Sequence, residues 1–409
     1  MSFRERHAAL LPEHRASAYY FTFYMGPGAA VVFLPIWFDQ MGMSAGQIGV
    51  LNAVPILVMM AFNLFIGRLA DRAEDWRDVI VILSIIGGVA PLGLFFVFDF
   101  WTILIAWTLV VLPSGLLNPI LDAAILRMTR RNGTDFGRIR AWGTLGATLC
   151  NAAVGLLVAQ LGSSAFVPLM ASLLVLRAVV ALQLPRFRAP SVQPVLAQLR
   201  QVPRSAVWAE FLRPFFALPL MSYAIIGNTH GLLGGLGTLL LKQQGISEVS
   251  IGILIAIGTA AEAVMMVAWK HLGIRFSARR LIIAAGLFAM LRWGVMAFSP
   301  PFEVLVLLQL MNGLTFGMCL LGTLDFITNQ TSEDNAAEIM SLFNLIVQVV
   351  SVLFLLAFGL LVAKYGSWTY LVTSLLACIG VLCAHISMQL RSDAALAGQV
   401  PATGGKGRR

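Results

Sequence analysis

Ser44-Ala-Gly-Gln-Ile-Gly-Val-Leu51 opens one long apolar run, and Ser247-Glu-Val-Ser-Ile-Gly-Ile-Leu254 opens another 203 residues further along. The same offset carries Arg72 onto Arg275, Arg77 onto Arg280, and Leu121-Asp122 onto Leu324-Asp325. One constant shift shared by several segments predicts two homologous halves. The expected layout is a polar cytoplasmic N-terminus at 1–17, a six-helix bundle at 18–184 and a second at 214–390. A cytoplasmic linker at 185–213, marked by Pro185, Pro190, Pro194 and Pro203, joins them, and 391–409 forms a cytoplasmic tail.

Composition sets the solvent. Hydrophobic residues make up 59% of the 409, and charged residues only 11%. A soluble domain carries about 25% charged residues, so this chain belongs in lipid. Apolar runs of about 20 residues have the length of spanning helices. Twelve are predicted: 18–38, 47–67, 78–98, 101–126, 141–161, 164–184, 214–240, 248–270, 280–299, 302–327, 338–363 and 367–390. The fold class is therefore all-α integral membrane, with twelve transmembrane helices in two pseudo-symmetric bundles. A lipid-exposed backbone must satisfy its own hydrogen bonds, and the alternating ten-residue pattern of a barrel is missing.

The net charge of +9 does not point to nucleic acid. With these spans, 24 of the 28 Lys and Arg residues fall on one side. The positive-inside rule then places both termini in the cytoplasm. A bacterial inner membrane and a monomer are expected. Cys150, Cys319, Cys378 and Cys383 all lie in predicted spans, so neither a disulfide framework nor a metal set is anticipated. No cofactor and no cleaved signal peptide are expected. Asn132-Gly-Thr and Asn329-Gln-Thr match the glycosylation pattern but fall on the cytoplasmic side.

Ionisable groups inside spans are costly and persist where they pair or line a watery cavity. Asp122 sits near the end of the fourth run, and Arg140 opens the fifth. A guanidinium can grip a carboxylate through two parallel bonds. An incoming organic anion would compete with Asp122 for Arg140, and protonating Asp122 would free the arginine. The alternative pairs Asp122 with Arg127 or Arg130 to hold the loop. Glu262 lies among small residues in the eighth run and Arg292 within the ninth, as a proton site and a substrate cation or as a purely structural pair. Asp325, the repeat mate of Asp122, is either a second proton carrier or a helix-end anchor. Arg177 suits a structural role, with snorkelling to the interface as one form of it. Tyr19, Tyr20, Phe23 and Tyr24 suit an interfacial belt or a stacking surface. His230, with Asn228 and Thr229, suits packing. Asn118, Asn151, Asn344 and Gln348 are cavity-lining candidates.

Gly67-Arg-Leu-Ala-Asp71-Arg72, followed by Arg77, resembles the signature loop of the major facilitator superfamily. The resemblance implies that Gly67, Asp71, Arg72 and Arg77 latch a gate, with Gly67 providing a helix exit. The second copy, ending at Arg275, has Ile274 where the acid would fall. Pro119-Ile-Leu-Asp122, Arg130-Arg131 and Phe136-Gly-Arg-Ile-Arg140-Ala-Trp142-Gly143-Thr144 resemble the lactose permease and phenylpropionate permease group of proton symporters. By that resemblance Asp122, Arg140 and Trp142 line the substrate cavity. Ala147 stands where lactose permease has a sugar-stacking aromatic. Asn312 stands where the phenylpropionate branch has a histidine, and it joins the substrate candidates.

The function implied is proton-coupled uptake of an aromatic or short carboxylic acid by a non-enzymatic transporter. A sugar or nucleoside symporter is the second transport reading. A membrane enzyme, and a non-transporting sensor or lipid scramblase, are the readings from other classes.

Overall fold

A computed structural model of the chain describes residues 3–187, 208, 211–269, 276–331 and 336–396. Most of the described residues are helical, and among them there is no strand. The first half contains α1 Phe3–Gln40, α2 Ala45–Arg72, α3 Trp76–Val89 with its 3-10 extension Ala90–Phe96, α4 Phe100–Asn132, α5 Phe136–Leu161 and α6 Phe166–Ala181. In the second half, α7 runs Pro214–Leu232, passes through a π turn at Leu233–Gly237 and ends as Thr238–Gln243. Then follow α8 Glu248–Ala268 and α9 Ala278–Met296. Helix α10 is Phe302–Leu310, a π turn at Gly313–Gly317, and Met318–Gln330. The last two are α11 Ala336–Tyr365 and α12 Thr369–Leu396.

Nine stretches among the described residues are long and apolar enough to cross a membrane, the last being Ile339–Leu390. That stretch contains most of both α11 and α12. Helix α6 is apolar but short, and α9 carries Arg279, Arg280 and Arg292 within 19 residues. The helices extend past the expected ends: α1 begins at Phe3 and α12 continues to Leu396. Gly67 does not end α2, which runs on to Arg72. The residues after Gly67 (Arg68, Leu69, Ala70) are strong helix formers, and one glycine costs a helix only about 1 kcal/mol. The linker expected at 185–213 and the second loop copy at 271–275 fall largely outside the described residues.

Helix starts are fixed by short polar side chains. Asp99 accepts from the Trp101 and Thr102 amides at 2.8 and 3.1 Å in a full capping box on α4. Ser247, from the repeated motif, accepts from the Ser250 amide at 3.2 Å and caps α8.

Between the halves, α2 packs on α11 and α5 packs on α8. Shifting each partner by six helices turns one contact into the other, so the pseudo-symmetry of the repeat is also the symmetry of the seam. Glycine sits at both crossings. A Cβ on Gly49 would lie 2.6 Å from the Leu355 carbonyl oxygen and 3.0 Å from Gly359 Cα. A Cβ on Gly252 would lie 2.7 Å from the Asn151 carbonyl oxygen and 3.2 Å from Gly155 Cα. Backbones approach this closely only where side chains are absent. Gly49 and Gly252 are the repeat mates quoted first in the sequence. Both crossings lie at the end of the bundle opposite the chain termini, because α2 and α8 start there and α5 and α11 finish there. Asn52 adds a bond to the Gly235 carbonyl across the same seam.

Candidate functional site: a polar cluster between the bundles

Gly133 ends α4 in the left-handed region at φ 66°, where a side chain would be strained. Two residues on, Asp135 caps α5 by accepting from the Gly137 amide at 2.8 Å. Glu13 of α1 accepts from Asn132 Nδ2 at 2.7 Å and from the Thr134 hydroxyl at 3.2 Å, which pins the turn to α1. This tight connection sets α4 and α5 antiparallel and brings Arg140 back towards Asp122.

Arg140 Nε lies 3.9 Å from Asp122 Oδ1, and both side chains are about one-third exposed (34% and 38%). The pair is therefore loose. Partly solvated ion pairs contribute about 0–1 kcal/mol, so a ligand can displace one partner at small cost. Tyr20 donates to the same Asp122 oxygen at 2.5 Å. Tyr24 donates to Asn118 Oδ1 at 3.0 Å. The two tyrosine rings stack at 6.3 Å, and the Arg140 guanidinium lies 4.3 Å over the Tyr24 ring. Arg127 does not compete for Asp122, since it lies 4.4 Å over the Trp76 ring.

On the facing bundle, Arg292 is 1% exposed. It donates to Asn312 Oδ1 at 2.7 Å, Gln309 Oε1 at 2.9 Å and Thr315 Oγ1 at 3.0 Å. His230 Nε2 lies 2.9 Å from the same Thr315 hydroxyl. Asn312 Nδ2 donates to the Gly258 carbonyl at 3.2 Å and to Glu262 Oε2 at 3.4 Å. The amide thus stands between Glu262 and Arg292, where a direct ion pair was the simpler expectation. Glu262 is partly exposed and interacts electrostatically with Arg140 across the seam. Asn151 ties the bundles one level further from the termini: its amide donates to the Gly28 carbonyl at 2.9 Å and its oxygen accepts from the Thr259 hydroxyl at 3.2 Å.

The structure brings Asp122, Arg140, Glu262, Asn312 and Arg292 into one region and leaves two candidates outside it. Trp142 is 48% exposed and lines an outer groove with His14, Phe21 and Val180. Two helix positions are about 200° apart, so it faces away from Arg140. Trp142→Ala should leave solute uptake within about twofold of the parent, measured on reconstituted protein, in keeping with a surface substitution. Asp325 is exposed on α10 and accepts from Asn329 one turn on, at 2.8 Å.

The side chains of Gly67, Asp71 and Arg72 are outside the described ones. Arg77 is described, and it caps α6 by donating to the Leu184 and Leu182 carbonyls at 2.7 and 2.8 Å. An acid not singled out in the sequence, Asp75, caps α3 and takes the Phe187 amide at 3.1 Å.

Two expectations are corrected. Arg177 does not snorkel; it is fully buried and donates to Ser114 Oγ at 2.6 Å. The tyrosines form no interfacial belt. Tyr19 and Tyr20 are fully buried, and Tyr19 bonds Ser84 at 2.6 Å. Gln309 was missed altogether. The available signal was its spacing: Gln309, Asn312 and Thr315 are polar at three-residue intervals in an apolar helix.

The MFS_1 like family model matches residues 14–354 of this chain. A probable 3-phenylpropionic acid transporter of Escherichia coli (strain K12) is 23% identical over 322 residues, 77% of this chain and 82% of that protein. The maltose permease of Geobacillus stearothermophilus is 25% identical over 332 residues, 80% of this chain and 81% of that protein. The crystal structure of the nucleoside transporter NupG superposes with a TM-score of 0.76 at 16% identity, over 93% of this chain and 98% of that one.

Proposed function

Because this chain belongs to the MFS_1 like family, and so is a multi-pass secondary transporter of the major facilitator superfamily, we propose that it takes up an aromatic or short carboxylic acid together with protons. The observation that carries this reading is the loose Arg140–Asp122 pair beside the stacked Tyr20 and Tyr24 rings. Arg140 offers a planar fork to a carboxylate. The partly exposed Tyr24 ring, backed by the buried Tyr20, offers an apolar face to an aromatic body. The relative named for 3-phenylpropionic acid supports the same class.

The proton carriers in this reading are Asp122 and Glu262. A carboxylate arriving at Arg140 displaces Asp122, which would then stand as a like charge beside the bound anion, at a cost in repulsion. Taking up a proton removes that cost. With the basic end of the bundle in the cytoplasm of a bacterial inner membrane, the glycine seam lies on the periplasmic side. The described conformation is then closed outward. Rocking of the halves about the cluster exchanges access.

Proteoliposomes test this directly. Labelled 3-phenylpropionate should accumulate inside when the external buffer is more acidic than the lumen. Accumulation should fall to the empty-vesicle level when a protonophore collapses the gradient. Uptake that ignores the gradient would remove proton coupling, and no uptake of any acid would remove the substrate class.

A second transport reading, a sugar or nucleoside symporter, draws on the same ring pair, which also suits a nucleobase or a sugar face, and on the relative named for maltose. Competition by neutral solutes against the labelled acid separates the two.

A further inference from the structure

The second bundle carries a buried cation, set behind the partly exposed Asn312 and Glu262, which border the cleft of the proposed function. Arg292 is 1% exposed, and its three bonded oxygens all come from α10, from Gln309, Asn312 and Thr315. None of them is a carboxylate. His230, on α7, bonds Thr315 from the other side, and Trp293 lies under the guanidinium at 4.6 Å. The guanidinium is walled in. An amide has one acceptor and two N–H donors. Arg292 takes the Asn312 acceptor, so the NH2 group must point the other way, to α8. Turning the amide over would set donors against donors. The polarity of Asn312 is therefore fixed by a residue that solute cannot touch. Of its two outward bonds, the one to Glu262 is the longer, at 3.4 Å against 3.2 Å to Gly258. It is the one a solute oxygen can replace.

We propose that Arg292 is a positioning residue, which locks Asn312 so that the second bundle presents a neutral hydrogen-bond donor to the cleft. The solute then carries one carboxylate, for Arg140, and a hydrogen-bond acceptor at its far end, for Asn312. A dicarboxylate is excluded while Glu262 is ionised, because its second anion would then meet a like charge. This rests on the reading that Arg140 anchors an acid.

Three probes test it on the full-length protein in detergent, by ligand-induced thermal stabilisation titrated to a Kd. They are 3-phenylpropionate, 3-(4-hydroxyphenyl)propionate and 3-(4-carboxyphenyl)propionate. The hydroxylated acid should bind about tenfold tighter than the plain one, the effect of one well-made hydrogen bond, and the dicarboxylate should not bind. Asn312→Leu should bring the first two to equal affinity. Asn312→His should restore the preference, since one ring nitrogen can accept from Arg292 while the other donates to the cleft. Arg292→Lys should keep the preference and Arg292→Gln should lose it. A merely structural arginine would lower the stability of both variants without moving that ratio.

If Arg292→Gln fails to fold, the Asn312 pair decides alone. Retained preference in Asn312→Leu, or dicarboxylate binding equal to the plain acid, overturns this proposal and leaves the Arg140 anchor standing. Binding of none of the three acids overturns both.

Discussion

Arg140→Lys is expected to cut acid uptake by about 10- to 100-fold while the protein still reaches the membrane and folds. Two contacts are at stake. The guanidinium reaches Asp122 at 3.9 Å and covers the Tyr24 ring at 4.3 Å. Lysine keeps the charge and loses the fork. A carboxylate held by two parallel bonds would be left with one, and hydrogen bonds to charged groups are worth about 1.5–3 kcal/mol each. The loss should appear as weaker binding as well as slower turnover, because the fork acts on the bound solute. Folding is spared because Arg140 is one-third exposed and its ion pair is weak. Initial rates in proteoliposomes, with the melting temperature of the same preparation, check both halves of the statement. Wild-type rates in Arg140→Lys would mean that the acid is held elsewhere.

The second large effect comes from the seam. Gly252→Leu should abolish transport almost completely and leave the bundle folded. A Cβ there already falls 2.7 Å from the Asn151 carbonyl oxygen, and the three further carbons of leucine have nowhere to go while α5 and α8 touch. Lipid and water remain available to both helices, so separation relieves the clash without unfolding either bundle. The seam should stay open. A reporter is Asn52→Cys, placed where Asn52 bonds the Gly235 carbonyl, in a background with all four native cysteines replaced by serine. A membrane-impermeant maleimide added from the face that carries the glycine seam should label it slowly in the parent and at least about tenfold faster with Gly252→Leu. Equal labelling rates would show that these glycines do not hold the seam. Gly49→Leu should behave alike, through Leu355 and Gly359.

The scaffold was legible because it follows from repetition and hydropathy. Two octapeptides 203 residues apart announced the halves, and the same glycines proved to be the crossing points. Asp122, Arg140 and Glu262 were legible because a charge inside an apolar run stands out. Trp142 belongs to a family motif, but two residues along a helix turn it about 200° from Arg140 and onto the outer surface. The tyrosines were misjudged because composition places Tyr at membrane interfaces, whereas Tyr20 and Tyr24, one turn apart, share the face that meets Asp122 and Asn118. Arg292 could be noticed but not interpreted. Its partners are neutral amides and a hydroxyl from another helix, and sequence gives no register between α9 and α10. Gly67 failed as a helix end because a single weak helix former inside a run of strong ones does not stop propagation.

On α5 the seam glycine Gly155 and Arg140 are 15 residues apart, about 22 Å along the axis at 1.5 Å per residue. On α8 Gly252 and Glu262 are 10 residues, or about 15 Å, apart. Seam and chemistry occupy separate floors of the same columns. Mutation can therefore redecorate one floor without cracking the other, and a lineage built on this plan is free to change its cargo while keeping its machinery.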